Sequence, residues 1–243
     1  DGSKPQAALI LDAAGTLYGT TQLGGSRRDG TVFKLDVSGK LTVLHRFDGF
    51  DGANPDCRLV RDSAGNLYGT TVTGGLKGDG VIFKIDRSGA ETVLHVFQKK
   101  AKGVIPEAGL IRDSAGNLYG TTQFGGSSPC QFGCGVVFKL DASNKLTVIH
   151  SFNGSDGERP VADLVRTADG ALFGTTSHGG SFGYGGVFQI ATSGHEPCRP
   201  NFYVPTRRPP IRASLTSALG DTPRQPCEGT AASARSRRPP ARY

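Results

Sequence analysis

The stretch DSAGNLYGTTVTGGLKGDGVIFKIDRSGAETVLHVF, residues 62–97, decides the fold. It holds short runs of Val, Ile, Leu, Thr, Tyr and Phe, none long enough for a helix, separated by glycine pairs and Asp-x-x-Gly turns. Its opening recurs as DAAGTLYGTT (12–21), DSAGNLYGTT (113–122) and TADGALFGTT (167–176). Gly-Gly and a short loop follow each time, then TVFKLD (31–36), VIFKID (81–86), VVFKLD (136–141) or GVFQIA (186–191). Three copies continue into LTVLHRF (41–47), ETVLHVF (91–97) and LTVIHSF (146–152). Pro5, Pro55, Pro106 and Pro160 set spacings of 50, 51 and 54 residues. Such a period belongs to propeller repeats and lies outside the helical repeat lengths.

Each period reads as four strands, in the first unit about 8–11, 16–21, 31–36 and 41–47. Asp12-x-x-Gly15 and Asp36-x-x-Gly39 make the turns. The aspartate accepts backbone N–H bonds and the glycine supplies the left-handed residue. Asp62/Gly65, Asp86/Gly89 and Asp113/Gly116 repeat the arrangement, and Asn144 stands in for a glycine. These aspartates therefore read as turn formers. Gly19, Gly69, Gly120 and Gly174 fall in mid-strand, which predicts close approach of another backbone. A four-stranded sheet of this size cannot hide both faces, so units must stack.

The predicted fold is all-β: a β-propeller of four roughly 50-residue, four-stranded repeats. The units run about 5–54, 55–105, 106–159 and 160–194. The last is expected to be incomplete, leaving an open or truncated ring with blade edges that can self-associate.

Residues 195–243 break the pattern. They carry nine of the 14 prolines, and nine arginines against Glu196, Asp221 and Glu228, so six of the seven net positive charges lie there. Such a segment reads as a disordered extension or an out-of-frame stretch. The near-neutral body has no electrostatic footprint for nucleic acid. No run approaches the ~18 apolar residues of a membrane helix. Residue 1 opens at a unit boundary without a signal-peptide pattern, and with no methionine the chain reads as processed or as a fragment.

The pattern Gly-x-Leu-Tyr-Gly-Thr-Thr-x-x-Gly-Gly…Val-Phe-Lys-Leu-Asp…Thr-Val-Leu-His-x-Phe resembles the Gloeobacter/Verrucomicrobia ("GloVer") tandem repeat across nearly all of residues 1–194. It is more distantly similar to kelch repeats, whose later tryptophan is here replaced by Leu-His-x-Phe. The resemblance implies an exported or cell-surface bacterial propeller, with no assigned catalytic residues to carry over.

His45, His95 and His150 recur in register. Equivalent positions on successive blades stand too far apart to share one zinc, so a structural role is expected. Lys34, Lys84, Lys139 and Gln189 read as snorkelling from a blade edge. Cys130 and Cys134 lie in a lengthened loop and predict a small disulfide; Cys57, Cys198 and Cys227 leave at least one thiol free. The loops DGFDGANPD (48–56) and NGSDGERP (153–160), with Asp1-Gly2, offer oxygen donors of the kind calcium takes, though not at EF-hand spacing. No cofactor is expected beyond that.

A binding face should lie where the loops between strands two and three meet the loops between units. Arg27, Arg28, Asp29, Lys77, Asp79 and Tyr184 come from the first set. Asp48, Asp51, Asn54, Lys99, Lys100, Lys102, Asp156, Glu158 and Arg159 come from the second. No nucleophile elbow, metalloprotease motif or phosphate loop occurs. The expected function is a non-catalytic binding or surface-architecture module for glycan or protein. A secreted hydrolase or lyase with a pocket at the central channel is the alternative.

Overall fold

The computed structural model describes residues 1–98, 102–127 and 130–191. Unit one is an antiparallel meander of β2 (Ile10–Leu11), β3 (Leu17–Thr21), β5 (Thr31–Leu35) and β6 (Leu41–Arg46). Unit two repeats it with Val60–Arg61, Leu67–Thr71, Val81–Ile85 and Glu91–Val96. Unit three uses Ile111–Arg112, Leu118–Thr122, Val136–Leu140 and Leu146–Ser151. Unit four shows Val165–Arg166, Leu172–Thr176 and Gly186–Ile190 among the described residues. The arginine-rich segment 195–243 lies outside them.

First strands are shorter than the sequence suggests, only two residues paired. The chain leaves the ladder at Leu9, whose side chain crosses over Gly19, and Leu59, Leu110 and Leu164 do the same over Gly69, Gly120 and Gly174. The mid-strand glycines thus have a different reason from the expected one. A Cβ there would sit within 2.8 Å of the ring of Phe33, Phe83, Phe138 or Phe188, the glycine's own cross-strand partner. Glycine makes room for an aromatic ring and a leucine, not for a second backbone. Ahead of β2, β1 (Gly2–Ser3) pairs with β4 (Leu23–Gly24). The bridges Ala53–Thr73, Val104–Phe124 and Glu158–His178 occupy the same place in later units.

Three core clusters hold the array, and each spans two adjacent units. The fourth strand ends in a phenylalanine that meets, edge to face, the third-strand phenylalanine of the next unit. Phe47 lies 5.1 Å from Phe83, Phe97 5.5 Å from Phe138, and Phe152 5.0 Å from Phe188. A register shift leaves Leu44, Leu94 and Ile149 unpaired in the ladder, as bulge residues that pack against the clusters.

Polar bonds cross the same seams. Thr20, Thr70 and Thr121 donate their hydroxyls to the carbonyls of Cys57, Ala108 and Pro160 in the next unit. Asn54, Ile105 and Arg159 bridge the seam: their N–H groups donate to the carbonyls of Asp29, Asp79 and Cys134 at 2.7–3.0 Å, and their carbonyls accept from the N–H groups of Val72, Gln123 and Ser177 in the next unit. Each donor has φ between +55° and +61° and precedes a proline, a conformation disfavoured by about 1–3 kcal/mol. Arg61, Arg112 and Arg166 lie over the rings of Tyr18, Tyr68 and Tyr119 in the preceding unit, 5.6–6.0 Å from the centroids. The tyrosine hydroxyls donate to Asp12, Asp62 and Asp113. This Arg–Tyr–Asp latch is missing at the ends, where unit one has Leu11 for the arginine and unit four has Phe173 and Thr167 for the tyrosine and aspartate.

Among the described residues neither a strand pairing nor a core cluster joins unit four to unit one. The described residues form an open arc of propeller blades. Phe97→Ala should cost about 3–5 kcal/mol in urea-induced unfolding, because the ring is fully enclosed between units two and three. A loss below about 1 kcal/mol would show that the seam does not rest on this contact.

Candidate functional site

The repeated aspartates are occupied in turns, as expected. Asp12 Oδ1 accepts the N–H groups of Ala14 and Thr16, and Asp36, Asp86 and Asp141 each accept two backbone N–H bonds and a serine hydroxyl. The Thr16 N–H, helped by the Tyr18 hydroxyl, holds the Asp12 carboxyl below its ordinary range. Burial pushes Asp62 and Asp113 up, but bonds from Asn66 and Tyr68, and from Asn117 and Tyr119, outweigh it.

Two of the three repeated histidines anchor the loops between units. His45 Nε2 lies 2.8 Å from Asp51 Oδ2 and His150 Nε2 3.0 Å from Asp156 Oδ2, while each ring packs edge-on to the phenylalanine two residues on. Unit two has Ala101 in place of that aspartate. There burial, with Lys102, lowers the His95 pKa below its ordinary value. The acidic loops bind themselves: Asp48 accepts from Phe50 and Asp51, Asp51 from Asp48, and Asp156 from Asn153. Among the described residues no three His, Cys, Asp or Glu side chains converge as metal ligands. Lys34, Lys84, Lys139 and Gln189 stand half-exposed opposite Tyr18, Tyr68, Tyr119 and Phe173.

The backbone bonds from Asn54, Ile105 and Arg159 bring the loops between strands two and three beside the loops between units. Arg27 Nη1 adds a bond to the Asp48 carbonyl at 3.1 Å. On this face Arg27, Arg28, Lys77, Lys102 and Tyr184 are exposed. Others named from sequence are tied into the scaffold. The Asn54 amide donates to the Gln22 carbonyl and accepts the Thr73 hydroxyl; Asp29 and Asp79 are half-buried. Arg159 stacks on Phe124 at 5.3 Å beside Glu158, whose backbone pairs with His178. Lys99 and Lys100 lie outside the described residues.

Sequence reasoning missed the apolar members of this face. Phe50, Leu76, Phe132 and Phe182 are exposed on the same loops. Their signal was a large hydrophobic in a glycine-rich loop whose neighbours are polar. Cys130 and Cys134 are joined as a disulfide with Cα atoms 5.4 Å apart, packed over Gly154. Cys57 is buried, exchanging bonds with the Thr70 backbone, and burial pushes its thiol up to about 11.

One half-buried acid opposes the fold. Glu91 stands where unit three has Leu146, and its Oε1 is enclosed without a hydrogen bond. Burial, then Asp51 and Asp48, push its carboxyl up to about 7 from 4.5. The folded state therefore holds this proton more tightly than the unfolded state, and stability falls as pH rises from about 4.5 through 7. Glu91→Leu should raise the melting temperature above pH 7, with the gain shrinking towards the unfolded pKa of 4.5. A gain independent of pH would mean that packing alone is at work.

The fold resembles solved propeller structures at low identity. A streptogramin B lyase structure aligns with TM-score 0.52 and 17% identity, over 81% of this chain and 54% of that one. The extracellular domain of the two-component-system protein BT4673 from B. thetaiotaomicron aligns at 0.53 and 13%, over 81% of this chain and 22% of that one. This chain thus spans about half of the lyase and less of the other. No curated protein matches the sequence. The Gloeobacter/Verrucomicrobia repeat profile matches residues 1–188, from the start of unit one into the last described strand of unit four. The chain belongs to the Gloeobacter/Verrucomicrobia repeat family.

Proposed function

We propose that this chain is an exported, non-catalytic propeller module that binds glycan or protein on its loop face. The observation that carries the reading is the composition of that face. Phe50, Leu76, Phe132, Phe182 and Tyr184 stand exposed beside Arg27, Arg28, Lys77 and Lys102, on loops pinned by backbone bonds between units. Exposed aromatic rings with cations nearby suit the apolar face and hydroxyl rim of a sugar, or a partner's side chains. Rigid mounting lowers the ordering cost of binding. The likeness to an extracellular domain supports placement outside the cytoplasm, and the disulfide fits an oxidising compartment.

The test is a glycan array probed with the whole chain, followed by calorimetry on any hit. Phe182→Ala and Arg28→Ala should each weaken binding about tenfold, near 1.4 kcal/mol, without changing the melting temperature. Turnover of an ester, lactone or glycoside by the chain, unaffected by these substitutions, would point instead to a hydrolase or lyase at the central channel.

A further inference from the structure

The loops between strands two and three end alike in every unit. Arg28, Gly78, Gly133 and Gly183 have φ between 68° and 81°. The glycine two residues on closes each loop, donating its N–H to the carbonyl of Gly24, Gly74, Gly125 or Gly179. Just before the left-handed residue stand Arg27, Lys77, Phe132 and Phe182 in turn, each exposed. One structural place thus carries a cation in units one and two and an aromatic ring in units three and four. Among the described units, three and four are the only neighbours with a ring on both sides of their seam.

The linker across that seam is bonded to both loops. The Arg159 N–H donates to the Cys134 carbonyl of the first, while Glu158 pairs with His178 and the Gly154 carbonyl accepts from Gly180 in the second. Arg159 Nε lies 3.3 Å from Glu158 Oε1, with the side chains 37% and 26% exposed. The guanidinium covers Phe124, whose ring meets Phe132 edge to face at 6.0 Å. The Ser177 hydroxyl donates to the Arg159 carbonyl and so accepts from His178 Nδ1, which leaves Nε2 of the exposed neutral imidazole as an acceptor. The nearby Asp156 carboxylate is taken up by His150 and the Asn153 N–H. Phe132 is held midway along the loop that the Cys130–Cys134 disulfide closes.

This chemistry differs from that around Arg27 and Arg28. A compensated Arg–Glu pair presents no net charge, yet it sets strong donors beside strong acceptors, as the adjacent hydroxyls of a sugar require. An exposed ring receives the apolar face of a pyranose. Stacked sheets lie about 10 Å apart, so equivalent places on neighbouring blades are separated by about two sugar residues. We propose that the seam between units three and four binds a neutral oligosaccharide. The first and third sugars of a trisaccharide stack on Phe132 and Phe182, and the middle one bonds to Arg159, Glu158 and His178. The inference rests on the loop face being a binding surface and names its place and ligand class.

The test is calorimetry on the whole chain with glucose, galactose, xylose and mannose oligosaccharides of increasing length. Affinity for one series should rise about tenfold or more from monosaccharide to trisaccharide and then level off. Phe132→Ala and Phe182→Ala should each abolish that rise without lowering the melting temperature, because both side chains are exposed. Arg159→Asn keeps a side chain that the same backbone conformation carries at Asn54, and should weaken the trisaccharide about tenfold. Added salt should leave the affinity unchanged, since the ligand is uncharged. A rise in affinity indifferent to both phenylalanine substitutions would overturn the site. A preference for uronate or sulfated chains that salt abolishes, or binding of a protein and no glycan, would overturn the neutral ligand while the loop face stands as a binding surface. Absence of binding to all of these would overturn both readings.

Discussion

Stacking of one blade on the next is the interaction on which everything else in this structure depends. A sheet of four strands, the first only two residues long, has too little width to bury its own aromatic residues. The phenylalanine closing each fourth strand solves this by crossing to the next unit, where it meets a ring lodged against a glycine. Leu-Tyr-Gly-Thr-Thr and Val-Phe-Lys are therefore two halves of one device. The glycine lets the ring lie flat within its own sheet, and the ring's exposed edge receives the neighbour. Energy stored in this way is nearest-neighbour energy, as in other repeat arrays.

Much of this was legible before any coordinates. The fourfold recurrence and the 50-residue period gave the all-β propeller, and Asp-x-x-Gly gave the turns, because those features depend on local chemistry alone. The mid-strand glycines were misread because their reason is a cross-strand ring, which spacing does not reveal. The partnership of His45 with Asp51, and of His150 with Asp156, was hidden for the same cause. The six-residue separation is visible, but only the folded loop brings the carboxylate back onto the imidazole. The exposed Phe50, Leu76, Phe132 and Phe182 are not legible from the repeat pattern, because they fall in the loops between its strands. In a chain this rich in glycine, an apolar residue in a loop is the unusual observation.

The loop face has a division of labour. Asn54, Asp48, Asp51 and Asp156 hold the backbone in shape, while Arg27, Arg28, Lys77 and Tyr184 project from it. Of the first kind only Asp51 and Asp156 are counterparts of one another; Asn54 gives way to Ile105 and Arg159 in the later units. Polar residues on loops thus fall into scaffold and surface according to whether their side chains satisfy backbone groups, a distinction that composition does not make.

The seam's polar bonds have a consequence for how such a chain changes length. On the accepting side they use main-chain carbonyls, and the left-handed residue before each proline contributes only its N–H and its carbonyl. Its side chain is consequently Asn, Ile or Arg without loss of the contact. A unit excised or duplicated as a cassette would find its hydrogen-bond partners intact at any position. The Arg–Tyr–Asp latch is different, because it is carried by side chains and is absent from the outer faces of the first and last units. An interior cassette can be shuffled among interior places, whereas an end cassette moved inward would set Leu11 against a tyrosine or Phe173 under an arginine. The latch therefore records the order of the blades, and the backbone bonds leave their number free.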